Sequence, residues 1–190
     1  MTEDFGQMRE LHPDRDSETL NLSFWPGRVP LRQRWRNNGL SADFLGDYVT
    51  TFFPLDDSTP ASAPRQAQIR GAVSFVANEL LENAMKFHDA ETPEPITIQL
   101  SLDAELITFH ESNAIGRAAT EEFKVFIEHL RAADPGELYL QQLEHNAVSE
   151  RSAGLGYLTM INDYGAELAW RFEPLDGGAC RVTTQVTLKL

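Results

Sequence analysis

Cysteine is almost absent. A single residue, Cys180, stands in 190, which excludes an internal disulfide framework and any multi-cysteine zinc site and leaves a lone, partly buried thiol. Basic residues are scarce too: 16 Lys and Arg face 29 Asp and Glu, for a formal net charge of −13. A chain so acidic lacks the footprint that a phosphate backbone demands, so no nucleic-acid partner is expected. No apolar run approaches the ~20 residues of a membrane helix, and the opening MTEDFGQMRE lacks the basic-then-apolar order of a signal peptide. Together these absences predict a soluble, cytoplasmic protein with no membrane partner.

The remaining composition, 42% hydrophobic and 24% charged, is that of a globular chain. At this length a chain removes roughly 70% of its unfolded surface from water, enough for one core and a single domain over residues 1–190. The charge is uneven. Residues 1–70 hold 8 basic against 10 acidic residues, and residues 71–190 hold 8 against 19. Arg28, Arg32, Arg34 and Arg36 form the one basic focus, either a solvated helix face or a docking patch.

Residues 1–15 are polar, unpatterned and expected to fray. Leu20, Leu22 and Phe24 alternate with polar neighbours and predict a half-buried strand over 17–24. Apolar residues at helical spacing from Leu31 to Phe53 predict a helix with a break at Asn38-Gly39 before a Ser41 cap; residues 17–54 thus form an N-terminal strand and helix extension. LDDSTPASAP (55–64) is a turn-rich connector. The strongest helix follows, with Ile69, Val73, Val76, Leu80, Ala84 and Phe87 as a continuous stripe. A strand hairpin (96–102 and 105–111), helices over 120–131 and 136–146, a helix after Gly156 to about Tyr164, and strands 166–172 and 181–190 complete the pattern. Helices alternating with such strands imply a two-layer α/β sandwich, its mixed, mostly antiparallel sheet covered by helices on one face.

The segment NELLENAMKFH (78–88) carries the chemistry. At ~100° per residue, Glu79, Glu82, Asn83 and Lys86 fall within about 100° of one another along the border of the apolar stripe. Asn83 points within roughly 20° of Val76, so its amide must find a hydrogen-bond partner or a metal. The second feature is SERSAGLGYLTMINDYG (149–165), where Gly154 and Gly156 let the backbone approach a ligand at a helix start. Amides there are unsatisfied donors with partial positive charge, which suits an anion; an ordinary turn has the same composition.

ENAMK on a long helix, then a hairpin, a helical insertion, GLG opening a helix and two closing strands together resemble the GHKL family. This is the ATP-binding (Bergerat) fold shared by histidine kinases, gyrase, Hsp90 and anti-sigma-factor kinases. The resemblance covers about residues 64–190 and implies an ATP-binding core of the histidine-kinase-like ATPase type, with a lid at about 114–152 and ATP and Mg²⁺ as cofactors. It implies Asn83 as the Mg²⁺ ligand, and Gly154, Leu155 and Gly156 as the glycine box around the phosphates. Lys86, Arg117 and Arg151 are further candidates for phosphate contact. The family's first glycine box, DxGxG, is replaced by FHESNAIGR (109–117). Glu111 or Asn113 is left to accept from the adenine amino group, with Thr184 assisting from the last strand.

Glu79, four residues before Asn83, resembles the general base of the gyrase, Hsp90 and anti-sigma branches. PLRQRWRNNGLSADFLGDYVTTFFP and GLGYLTMINDYGAELAW narrow the resemblance to the SiaB-type protein kinases and related small cyanobacterial regulators. That group implies a serine/threonine kinase acting on a small STAS-like or SiaC-like regulatory protein in a partner-switching pathway. A non-catalytic nucleotide-sensing or anti-sigma-like module is the alternative, favoured by the degenerate first box; a plain ATPase is the third reading. Trp25, Trp35, Phe44, Tyr48 and Phe52 offer surplus aromatic surface, for a homodimer or for packing within the chain.

Overall fold

Alternation of apolar and polar residues builds the sheet, and 3–4 spacing builds the helices that roof it. The computed structural model describes residues 1–10, 17–25, 31–54, 61–148 and 155–190, with side chains described except at 31–37 and 143–148. The elements run β1 (Glu3–Phe5), β2 (Glu18–Phe24), α1 (Leu31–Thr50), α2 (Ser62–Phe87), β3 (Ile96–Leu102), β4 (Leu106–Ile115), α3 (Arg117–Ala132), α4 (Pro135–Val148), α5 (Leu155–Tyr164), β5 (Glu167–Pro174) and β6 (Cys180–Lys189).

The strands form one sheet in the order β1-β5-β6-β4-β3-β2. Every described pairing is antiparallel, so the expected mixed sheet is antiparallel throughout the described residues. The reason is local: β3–β4 and β5–β6 are hairpins joined through β4 against β6, and each edge strand adds in the opposite sense to its neighbour. Asp103 sets the first hairpin, its Oδ1 accepting from the backbone N–H of Glu105 at 2.9 Å and of Leu106 at 2.8 Å.

Register decides the two faces. Leu22, Ile98, Glu111, Thr184, Trp170 and Phe5 are successive cross-strand partners and form one row across the whole sheet. That face is mostly apolar, with Asn113 one row beyond Glu111, and packs against the helices, whereas Gln99, His110 and Gln185 lie on the opposite, polar face. α2 buries Val73, Val76, Ala77, Leu80, Leu81, Ala84 and Met85; each large side chain among them contributes about 1.5–3 kcal/mol relative to exposure. α3 sends Ile127 and Leu130, and α5 sends Tyr157, Leu158 and Met160, into the same core.

Two local expectations are corrected. Residues 3–5 do not fray: they form β1 on β5, with Phe5 edge-on to Phe172 at 5.6 Å. Arg171 holds this segment through a two-armed pair with Asp4 at 2.9 Å and a contact to Glu10 at 2.8 Å. Helix α1 runs through Asn38-Gly39 without a break, because Asn38, Ala42, Leu45 and Val49 are all buried at helical spacing. Tertiary burial there outweighs the roughly 1 kcal/mol helix penalty of glycine. Strand β4 also extends to Ile115, four residues beyond its expected end. Among the described residues, no helix is long and apolar enough to cross a membrane.

Candidate functional site

The sequence-predicted residues come from four elements. Glu79, Asn83 and Lys86 lie on the last two turns of α2, Glu111 and Asn113 on β4, Leu155 and Gly156 on the first turn of α5, and Thr184 on β6. Gly154, Arg151 and Arg28 lie outside the described residues.

Glu79 and Gly156 meet directly. A Cβ built on Gly156 would fall on Glu79 Oε2 and lie 3.1 Å from its Cδ, so any larger residue there would displace the Glu79 side chain. Burial pushes the Glu79 carboxyl above its ordinary range, and the neighbouring Glu82 adds to the shift. The carboxylate thus sits at the positive end of a helix while retaining an appetite for a proton.

Asn83 is half-buried, as its position beside the apolar stripe requires, and its side chain lies beside the Tyr157 hydroxyl. Thr184 and the indole N–H of Trp170 face the same hydroxyl. Burial and the nearby Glu111 charge push the Tyr157 hydroxyl pKa upward, the three neighbouring donors opposing them. The phenol therefore stays protonated. Its ring is locked by Phe123 at 6.2 Å and by Trp170 edge-on at 5.8 Å.

Glu111 lies beneath this cluster, directly opposite Thr184 in the β4–β6 register and only 2% exposed. Among the described residues its Oε1 has no hydrogen-bond partner, and burial raises its pKa well above the ordinary carboxylate value. A buried orphan acceptor of this kind is costly unless a ligand donor or a proton satisfies it.

Two expected members stand apart. Lys86 is exposed and lies over the Phe87 ring at 5.2 Å. Asn113 is buried one row further along β4, opposite Val182, where its amide N–H reaches only the Ala114 carbonyl at 3.5 Å. Tyr157 and Trp170, which link the other residues, escape the sequence reading. Tyr157 adjoins the glycine pair in sequence, but nothing in the pattern shows that its ring turns inward over Asn83; Trp170 enters only through strand register.

The donor set suits a nucleotide with Mg²⁺. Hard oxygen ligands from an amide and a carboxylate, glycine amides at a helix start and a buried orphan acceptor are groups such a ligand engages. A cleft of about 180 Å³ among the described residues lies elsewhere, lined by Arg65, Gln68, Ile69, Tyr164 and Lys189 at the opposite end of α2. From Ile69 to Asn83 is about 20 Å along the helix.

The fold thus defines an α/β protein with an open antiparallel sheet, roofed by helices over a buried polar row. A chain of this architecture occurs in the solved SiaB–SiaC complex from Pseudomonas aeruginosa, with a TM-score of 0.55 and 16% sequence identity over 89% of this chain and 89% of that one. At that identity the likeness is one of fold. No protein-family model matches the chain, and no curated protein matches it significantly.

Proposed function

We propose that this chain is a partner-switching regulator of the GHKL type: a serine/threonine protein kinase, dependent on ATP and Mg²⁺, that phosphorylates a small SiaC-like protein. The fold likeness to a chain of the SiaB–SiaC complex supports the choice of partner class. The observation that carries the reading is the contact of Glu79 with Gly156, which brings a proton-hungry carboxylate to the helix start where phosphates are favoured.

Bound MgATP supplies the γ-phosphoryl group. Asn83 would hold the cation through its amide oxygen, the backbone of Leu155 and Gly156 would donate to the phosphates, and Glu111 would accept from the base. Glu79 would orient the partner's hydroxyl and take its proton as that oxygen receives the γ-phosphoryl group and ADP leaves. A carboxyl lifted toward neutrality suits this role, because a general base works best with its pKa near the working pH.

The test is single-turnover transfer from labelled ATP to a small SiaC-like protein. Glu79→Gln should keep nucleotide affinity within about threefold and cut transfer by about 10²–10⁴-fold. Glu82→Gln, about 60° away around the helix, should cost little. Unchanged transfer in Glu79→Gln would sink the mechanism.

One observation favours a second reading, a non-catalytic partner-switching module. The Tyr157 hydroxyl already engages Asn83 and Thr184, so the ring occupies groups that a nucleotide would use. If the chain binds the small partner while calorimetry detects no ATP binding with or without Mg²⁺, this reading replaces the kinase.

A further inference from the structure

Strand β5 spans eight residues, but its outer edge is covered over a short stretch only. β1 pairs Glu3 with Phe172, Asp4 with Arg171 and Phe5 with Trp170. At Gly6 the chain turns away with φ at +84°, where a Cβ would fall 2.7 Å from the Leu168 carbonyl oxygen. Three paired residues make few ladder hydrogen bonds, so side chains decide how this strand is held.

Those side chains divide between a fixed body and a loose strand. Successive residues point to opposite faces, so Glu3 and Phe5 reach the helix-covered face and Asp4 the polar one. Phe5 packs edge-on against Phe172 at 5.6 Å, and Glu3 Oε2 lies 2.6 Å from Lys124 Nζ. Asp4 and Glu10 both reach Arg171, at 2.9 and 2.8 Å. The cations belong to the body: their side chains are 24% exposed for Lys124 and 25% for Arg171, against 51%, 38% and 60% for Glu3, Asp4 and Glu10. Lys124 also lies over the Phe172 ring at 5.3 Å, which holds it from beneath as well.

Beneath the strand, then, lies a sheet edge flanked by two cations and an aromatic ring. Lys124 and Arg171 are two of only 8 basic residues in 71–190, a region with 19 acidic ones. Their placement on one edge makes it complementary to one kind of occupant, an extended segment with two successive acids followed by an aromatic residue. Glu3-Asp4-Phe5 is such a segment, tied down by partly exposed ion pairs that are individually weak.

We propose that the edge of β5 is a docking site for an extended acidic segment of another protein, which adds as a strand in place of β1, and that Glu3–Phe5 is the chain's own placeholder there. The probe is a fluorescein-labelled peptide of sequence MTEDFGQMRE, titrated with the full chain by fluorescence anisotropy. Asp4→Ala and Phe5→Ala in the full chain loosen the placeholder. Each variant should bind the probe at least about tenfold more tightly than the parent, whose tethered strand competes at high effective concentration. Changing both Glu3 and Asp4 of the probe to lysine should cost at least about tenfold, as should Arg171→Ala added to Phe5→Ala in the chain. A probe that keeps Glu-Asp-Phe-Gly but carries serine and threonine elsewhere should bind within about fivefold. Urea unfolding of each variant reports whether the body stays folded. If the variants unfold cooperatively and neither takes the probe, or if the lysine probe binds equally well, the proposal falls. A variant that sediments at twice the 21.4 kDa chain mass and excludes the probe also overturns it, assigning the edge to a second copy.

Discussion

Glu111 is the residue whose chemistry is most constrained by position. Its pKa is raised in the folded chain, so the native state binds more protons than the unfolded state above the ordinary carboxylate range. Its contribution to stability is complete below that range and is lost as pH rises toward the elevated folded value. Glu111→Gln keeps the shape and removes the ionisation, so it should raise the melting temperature more at pH 8 than at pH 5. A melting-temperature gain that does not grow with pH would show that Glu111 is satisfied when ionised. Asn83 serves two roles under the proposed reading: Asn83→Ala should abolish the Mg²⁺ dependence of nucleotide binding by calorimetry and also cost about 1 kcal/mol by denaturant unfolding, because the Tyr157 hydroxyl loses a partner. Gly156 and Glu79 form a second measurable pair. Gly156→Ala should destabilise the parent chain and be tolerated beside Glu79→Ala, with a coupling energy of about 1–2 kcal/mol in the double-mutant cycle.

Among the elements, α2 organises the molecule by touching both layers. Its inner stripe meets β3 and β4, and its outer side receives α1 at Gly46, where a Cβ would fall on Ser74 Oγ and 3.0 Å from the Arg70 carbonyl oxygen. Gly46→Val should therefore cost about 1–3 kcal/mol through overpacking, read as a shift in the urea midpoint. The first ten residues act as an element because tertiary contacts make them one. The Arg9 N–H donates to Gln185 Oε1 at 2.7 Å, and His110 Nε2 lies 3.2 Å from the Arg9 carbonyl. Burial depresses the His110 pKa, so its contribution to stability is lost as pH falls below the ordinary imidazole value. Exchange protection of residues 5–9 should accordingly fall faster with acid than that of β4.

At the scale of the whole molecule, a charge of −13 makes self-repulsion a standing cost of the compact state. Most ion pairs here join exposed or half-exposed groups, such as Lys124–Glu3 at 2.6 Å and Arg181–Glu94 at 2.7 Å, and are individually worth little. Moderate salt, with a Debye length of about 10 Å at 0.1 M, should therefore raise the melting temperature rather than lower it. A fall would mean that the pairs, Arg171 with Asp4 and Glu10 above all, outweigh the net repulsion.

The sequence by itself determined the order and type of the helices and strands from residue 17 onward, because 3.6- and 2-residue periodicity is written locally in residues such as Val73, Val76 and Leu80 or Ile96, Ile98 and Leu100. It also determined that Asn83 would be half-buried, since one helix carries both its stripe and its border. Continuity of α1 through Gly39, the capture of Glu3–Phe5 by β5 and the all-antiparallel sheet were decided only by tertiary structure: each depends on a partner distant in sequence whose burial outweighs local propensity. The polar row shows the same division. Glu111 and Thr184 stand out as polar residues in apolar strands, yet strand register alone makes them neighbours, and only the packing of α5 on the sheet turns Tyr157 inward to join them to Asn83.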